Sequence, residues 1–291
     1  MPSHALYDSI FGSYTLGQCS SASYSPGAQV IDGVNSGAVD VDEYYGGPCD
    51  PQASFETLDA GGAITAVSVT TGLSVAAGTI TMPWNKRANQ STFAGSNNFK
   101  LSGTDGLLVA NQFDASQDGD VSVSLTFYWV ATDGLTNPVG KAANASLASQ
   151  TFNAHWSFGP AYIDGSQVDE CIGWTVGTGV EVVCHRFDGA NYPTKCYIVR
   201  RRPYIDLRFA DLSDVNSFTT SHYALTSAAV YGRKRSGASF VAAGTSQHVK
   251  LSLGAGLLKL ENLGASGRGD GTFTLRLHGE ALTASAASAI P

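Results

Sequence analysis

NFKLSGTDGLLVANQFDASQDGD, residues 98–120, and HVKLSLGAGLLKLENLGASGRGD, residues 248–270, decide how this chain is read. At a constant offset of 150 they agree at 10 of 23 positions. The matches are Lys100/Lys250, Leu101/Leu251, Ser102/Ser252, Gly106/Gly256, Leu107/Leu257, Leu108/Leu258, Ala115/Ala265, Ser116/Ser266, Gly119/Gly269 and Asp120/Asp270. Chance pairing gives about one or two matches at ordinary residue usage. The expectation is a tandem duplication of one unit of about 140 residues, too few copies for a solenoid and suited to a fused pair of domains.

The correspondence extends outward with a drifting offset, as short loop insertions produce. Asn85-Lys86-Arg87 faces Arg233-Lys234-Arg235, and Phe93 faces Phe240. Phe55-Glu56-Thr57-Leu58 lies near Phe209-Ala210-Asp211-Leu212, and Cys19 lies near Cys171. Downstream, Val123, Leu125 and Phe127 face Phe273, Leu275 and Leu277. These alignments give a copy over 1–131, a small, polar linker over 132–151 with Pro and Gly, a second copy over 152–282 and a tail over 283–291.

Period-two alternation dominates within each copy. Positions 121, 123, 125, 127 and 129 are apolar between Ser, Thr and Tyr, and Ile205, Leu207 and Phe209 alternate with Asp206 and Arg208. Each pattern predicts a half-buried strand of an antiparallel sheet. Val180 to Phe187 and Cys196 to Arg200 flank Asp188-Gly189 and read as a hairpin with a longish loop. Helix signals are few. Asp211 or Ser213 caps a short predicted helix, and Thr57 to Ile64 offers a weaker counterpart because of Gly61-Gly62. The predicted fold class is therefore all-β, a duplicated antiparallel sandwich or barrel with one short helix per copy.

With 43% apolar and 14% charged residues and 33 glycines, the 291-residue chain belongs with folded β proteins. No stretch approaches the ~20 apolar residues that span a bilayer. Residues 1–17 hold no basic region followed by an apolar run, so no signal peptide is expected there. Five cysteines, Cys19, Cys49, Cys171, Cys184 and Cys196, are expected as reduced thiols. One pair leaves an alternative, since a hairpin around Asp188-Gly189 brings Cys184 and Cys196 opposite each other. The net charge of −7 is unevenly spread. Residues 1–150 carry four Lys/Arg against 13 Asp/Glu, and residues 151–291 carry 13 against 11. Opposite potentials suit a contact between the copies.

Catalytic patterns are missing from the sequence. Asp114, Asp118 and Asp120 superficially resemble a calcium loop, but no distal Glu completes the oxygen set, and Arg268 stands at the matching place in the second copy. A turn built on Gly119 and Gly269 is the expected reading. The six histidines form no HExxH, and no nucleophile elbow or phosphate-binding glycine loop occurs. No enzyme activity, cofactor or metal is expected. Arg200-Arg201-Arg202 and the paired clusters Lys86-Arg87 and Lys234-Arg235 are the basic features. An acidic chain does not suit nucleic-acid grip. The duplicated position of the paired clusters suits a contact repeated around a ring.

Leu6-Tyr-Asp-Ser-Ile-Phe-Gly-Ser-Tyr-Thr-Leu-Gly17, the Phe55 to Asp59 segment, and β-rich copies ending in Lys-Leu-Ser and Gly-Leu-Leu resemble tail tube proteins of long-tailed bacteriophages. The resemblance covers the whole chain and is architectural. It implies stacked six-fold rings forming a hollow, DNA-conducting tube; two-copy members build such rings from three chains. It further implies a virion tail location after assembly in the host cytoplasm, tape-measure and tail-tip or terminator partners, transient contact with DNA, and no membrane. Within it, Lys86, Arg87, Lys234 and Arg235 are expected at inter-subunit contacts, and Asp114, Asp118 and Asp120 facing the lumen. A head–tail connector, a capsid decoration protein, and a tandem β-sandwich adhesin are the competing readings.

Overall fold

The computed structural model describes residues 4–34, 36, 40–41, 43–76, 80–88, 93, 97–145, 147, 154–187, 189–210, 222–264 and 272–291. The N-terminal half contains β1 (His4–Leu6), β2 (Ser9–Phe11), β3 (Tyr14–Leu16), β4 (Cys19–Ser25), β5 (Ala28–Gly33), β6 (Glu43–Cys49), β7 (Gln52–Thr57), α1 (Ala60–Ala66), β8 (Leu73–Val75), β9 (Ile80–Lys86), β10 (Asn98–Gly103), β11 (Asp105–Ser116), β12 (Ser122–Val130) and β13 (Val139–Ala145). The C-terminal half contains β14 (Trp156–Ile163), β15 (Ser166–Val168), β16 (Cys171–Gly177), β17 (Glu181–His185), β18 (Lys195–Arg200), β19 (Tyr204–Phe209), β20 (Tyr223–Leu225), β21 (Ala228–Ser236), β22 (Ser239–Phe240), β23 (His248–Leu253), β24 (Gly256–Gly264), β25 (Thr272–Gly279) and β26 (Leu282–Ser288). The fold is all-β and antiparallel, as the alternation predicts.

Each half contributes a small sheet. The first has the order β13-β10-β9-β2-β3, and the second β15-β14-β21-β23-β26, the same order reversed in listing. Both pack against one ten-stranded sheet of order β20-β24-β25-β19-β16-β11-β12-β7-β4 with β8 on β11. Phe11 of the first small sheet meets Phe55 edge-on at 5.2 Å and Phe127 at 5.1 Å on the long sheet. Alternating Val121, Val123, Leu125, Phe127 and Trp129 are fully buried between these layers, and Phe273, Leu275 and Leu277 do the same in the other half.

Pairing partners recur at nearly constant offsets. Leu107 faces Ser74 and Tyr128, while Leu257 faces Ala224 and His278. The irregularities recur too. Register shifts fall between Ala110/Gln112 and Leu260/Asn262, between Asn98/Lys100 and His248/Lys250, and between Cys19/Ser21 and Cys171/Gly173. Bulges re-aim a strand and belong to a design rather than to chance.

Four expectations need correction. Residues 132–151 are not simply a linker, because Val139–Ala145 pairs with β10. Likewise 283–291 is not a loose tail, because β26 pairs with β23. Phe55 and Phe209 are not counterparts: Phe55 faces Ala22 and Leu125, and Leu207 is the residue that faces Trp174 and Leu275. A slip of two keeps a residue on the same face, so alternation does not reveal it. Finally, Cys184 and Cys196 are directly opposed across the β17–β18 hairpin and form a disulfide, so the expectation of five reduced thiols fails for this pair. Cys19, Cys49 and Cys171 are free thiols.

Helix α1 forms where the glycine pair argued against it. Asp59 caps it by accepting the Gly62 amide at 3.0 Å. A Cβ on Gly61 would sit 2.2 Å from the Trp156 ring, so only glycine lets the helix reach the other half. The second predicted helix falls on 211–221, outside the described residues.

Candidate assembly interface

The halves meet along a seam in the long sheet. The C-terminal part of β11 pairs with β16, Gln112 opposite Gly177 through Ser116 opposite Gly173. Thr178 tightens one end, its hydroxyl donating to the Ala110 carbonyl at 2.7 Å and its amide to Asn111 at 2.9 Å. At the other end the Gln117 amide donates to Ile172 at 2.9 Å. Asp114 sits on the seam's outer face, accepting from the Thr175 hydroxyl at 2.5 Å and the Gln112 amide at 2.6 Å. Of the three expected lumen carboxylates it alone lies on the outer face of the long sheet.

Asp118 is exposed in the turn after β11. Asp120 is elsewhere: it accepts from Ser157 at 2.8 Å and lies 3.4 Å from His155 and 3.8 Å from Arg235. Arg235 thus meets a carboxylate of the other half of its own chain, within the molecule rather than across subunits. Lys86 and Lys234 stand in matching places, their backbone amides donating to buried Asn98 Oδ1 at 3.0 Å and buried His248 Nδ1 at 3.1 Å. Arg87 lies over Phe93 and Arg235 over Phe240. The four basic residues are therefore not gathered into one patch; two sit at the end of each small sheet.

Two further contacts join the halves. Helix α1 packs against β26 and Trp156 of the C-terminal half. The β17–β18 arm leans on the N-terminal half: the Cys49 amide donates to Asn191, the Ala131 amide to Pro193 and the Tyr192 amide to Gly134, at 2.8 to 3.0 Å, and Arg186 pairs with Asp50.

Each contact has a counterpart surface with no matching partner among the described residues. The edge of β24 beyond its pairing with β20, and the outer edge of β4, have no strand partner among the described residues. These are the counterparts of the seam strands β11 and β16. The small-sheet surface of His4, Trp84, Phe99 and Ala143, which matches the seat of α1, forms an open apolar pocket. The N-terminal arm β5–β6 exposes Val30, Ile31, Val34, Tyr44 and Tyr45. Neither the bare edges nor the arm equivalence was read from sequence, because backbone edges carry no side-chain signature.

The outer face of the long sheet is polar. The N-terminal half presents Ser21, Ser23, Ser25, Ser54, Glu56, Ser122 and Ser124. On the C-terminal half, Arg276 grips Asp206 through two bonds of 2.7 Å and reaches Glu261 at 3.3 Å, while Lys259 holds Glu261 at 2.6 Å. Those bonds hold Arg276 protonated beyond its usual range, and Lys259 draws the Glu261 carboxyl below its own. Among the described residues no three His, Cys, Asp or Glu side chains gather to hold a metal. Compared with known proteins, the chain has no significant match to any family model or curated protein.

Proposed function

We propose that this chain is a tandemly duplicated structural protein that assembles head-to-tail into closed rings. One observation carries the reading: the β11·β16 seam joins the halves, and the matching edges of β24 (beyond β20) and β4, toward opposite ends of the same ten-stranded sheet, have no strand partner among the described residues. Repeating the seam between chains pairs Asn262, Leu263 and Gly264 with Ser25, Tyr24 and Ser23 of a neighbour. Heterologous contacts of this kind close into rings or run on as filaments. Covering both edges also removes the aggregation hazard of an open sheet.

Resemblance to phage tail tube proteins selects the ring, three chains around and stacked into a hollow tube within a virion tail. The hydroxyl-rich outer face, where Asp206 and Glu261 neutralise Arg276 and Lys259 and Arg208 is turned onto the Ala115 carbonyl, suits a lumen in which few fixed cations take the place of DNA counterions. The stapled arm suits a particle that functions outside a reducing compartment. Negative-stain images and native mass of the purified full chain test the reading. Three-chain rings or hollow tubes are expected; monomers at high concentration, or rings of another multiple, overturn it. Leu263→Asp should abolish the assembly and leave the monomer folded.

A further inference from the structure

The two hairpin arms are built in one register. Val30 pairs with Gly46, Ile31 with Tyr45, Asp32 with Tyr44 and Gly33 with Glu43. Shifted by 152, these become Val182 with Ile198, Val183 with Tyr197, Cys184 with Cys196 and His185 with Lys195. The bases match as well. Gly27 and Gly179 adopt φ of 57° and 58°, and each accepts an amide from across the hairpin, Asp50 and Arg202 respectively.

Their surroundings differ. Arm β17–β18 lies on its sister half, with Thr194, Lys195 and Cys196 sharing a cleft with Gly106, Leu107 and Val130. There Leu107 is 7% exposed. Arm β5–β6 is held only near its base, where the Cys49 amide donates to Asn191, and beyond it Val30 is 70% and Tyr44 71% exposed. The matching floor on the C-terminal half is bare as well, and Leu257 is 50% exposed. Arm and floor flank opposite ends of the ten-stranded sheet, β4 at one and β24 at the other.

We infer that the β5–β6 arm of one chain docks on the Gly256–Leu258 face of a second copy of this chain, Tyr44 covering Leu257 as Cys196 flanks Leu107. The occupant follows from the molecule's own precedent, since the same hairpin already occupies the same floor within the chain. This inference rests on the head-to-tail reading and adds a second, independent contact to it.

Paired cysteines in the full chain separate the two. Chains carrying Tyr44→Cys are mixed with chains carrying Leu257→Cys and mildly oxidised; a parallel pair, Ser25→Cys with Asn262→Cys, reports the strand edge. All four positions are on the surface of the free chain, so folding is preserved. The unmodified chain, which retains Cys19, Cys49 and Cys171, gives the background. A chain-to-chain adduct from both pairs supports the inference. An adduct from the 25/262 pair alone overturns arm docking and leaves head-to-tail assembly standing; adducts from neither overturn both. A 44–257 bond formed within one chain carrying both substitutions also overturns docking on a neighbour. Leu257→Asp should weaken chain–chain association by about tenfold or more, as expected for a central apolar contact.

Discussion

Strands β11 and β24 share a hairpin partner geometry, a bulge and a Gly-Leu-Leu start, yet live in different surroundings. From Gly106 to Ala110 every residue of β11 is buried, whereas of the matching residues on β24 only Leu258 is. Further along, Phe113 is 0% exposed and Leu263 52%. The difference comes from neighbours rather than from the strand: β16 and the β18 arm cover β11, and among the described residues no strand pairs with the matching part of β24. Leucines exposed on a strand whose counterpart is buried are what the proposed assembly would cover, and an exposed leucine alone would not suggest it.

The sharpest way to break this comparison is to shorten the matching side chains. Phe113→Ala should destabilise the unassembled chain by about 3–5 kcal/mol, because it opens a cavity in the core. Leu263→Ala should change it by less than about 0.5 kcal/mol, as surface substitutions do. Denaturant unfolding at dilutions below assembly measures both, and equal losses would mean that the strands do not differ as described.

A second contrast lies in the arms. Replacing both Cys184 and Cys196 by Ser should loosen the β17–β18 arm by about 2–3 kcal/mol, the order expected for a short closed loop. Hydrogen exchange should then rise over 181–200 and stay unchanged over 28–49, where no crosslink exists.

Asn98 and His248 offer a subtler comparison, since each buries a ring or amide to accept one lysine amide. Truncating either to Ala leaves that N–H unsatisfied, at about 1–3 kcal/mol. His248→Asn should recover part of the loss, because Asn already serves this position in the other half. Thermal unfolding of the three variants decides.

The smallest expected effect concerns Cys19 and Cys171, which sit at matching bulges. Burial raises both thiols, Cys19 to about 12, with Asp8 and Glu56 adding to the rise. At Cys171 Arg208 works the other way. Thiolate is the reactive form, so alkylation of the native chain should be slow at neutral pH, accelerate as pH climbs, and favour Cys171 over Cys19. Mass spectrometry of partially alkylated protein reads the order.

The all-β class was legible because strands such as β12, β19 and β25 keep their alternate apolar residues toward the core. The arms were not, since only scattered identities such as Val30/Val182 and Tyr45/Tyr197 survive between them, and Asp32 and Tyr44 stand where the other arm holds its disulfide. Helix α1 was obscured by Gly61, whose presence answers to Trp156, a residue almost a hundred positions away. Asp120 was expected to face the lumen because its partners Ser157, His155 and Arg235 come from the other half. The candidate interface was legible only as an expectation of a contact repeated around a ring; which edges remain open is a property of the assembled sheet.

Covalent continuity between β11 and β16 has a kinetic meaning. In a closed ring of these chains, one seam of every two is formed inside a molecule before any two molecules meet. An intramolecular junction draws on effective concentration rather than on collision. A ring of six units then requires two bimolecular encounters instead of five, the last seam closing within the assembled arc in either case, so its formation should respond less steeply to dilution than that of a ring built from single-unit chains.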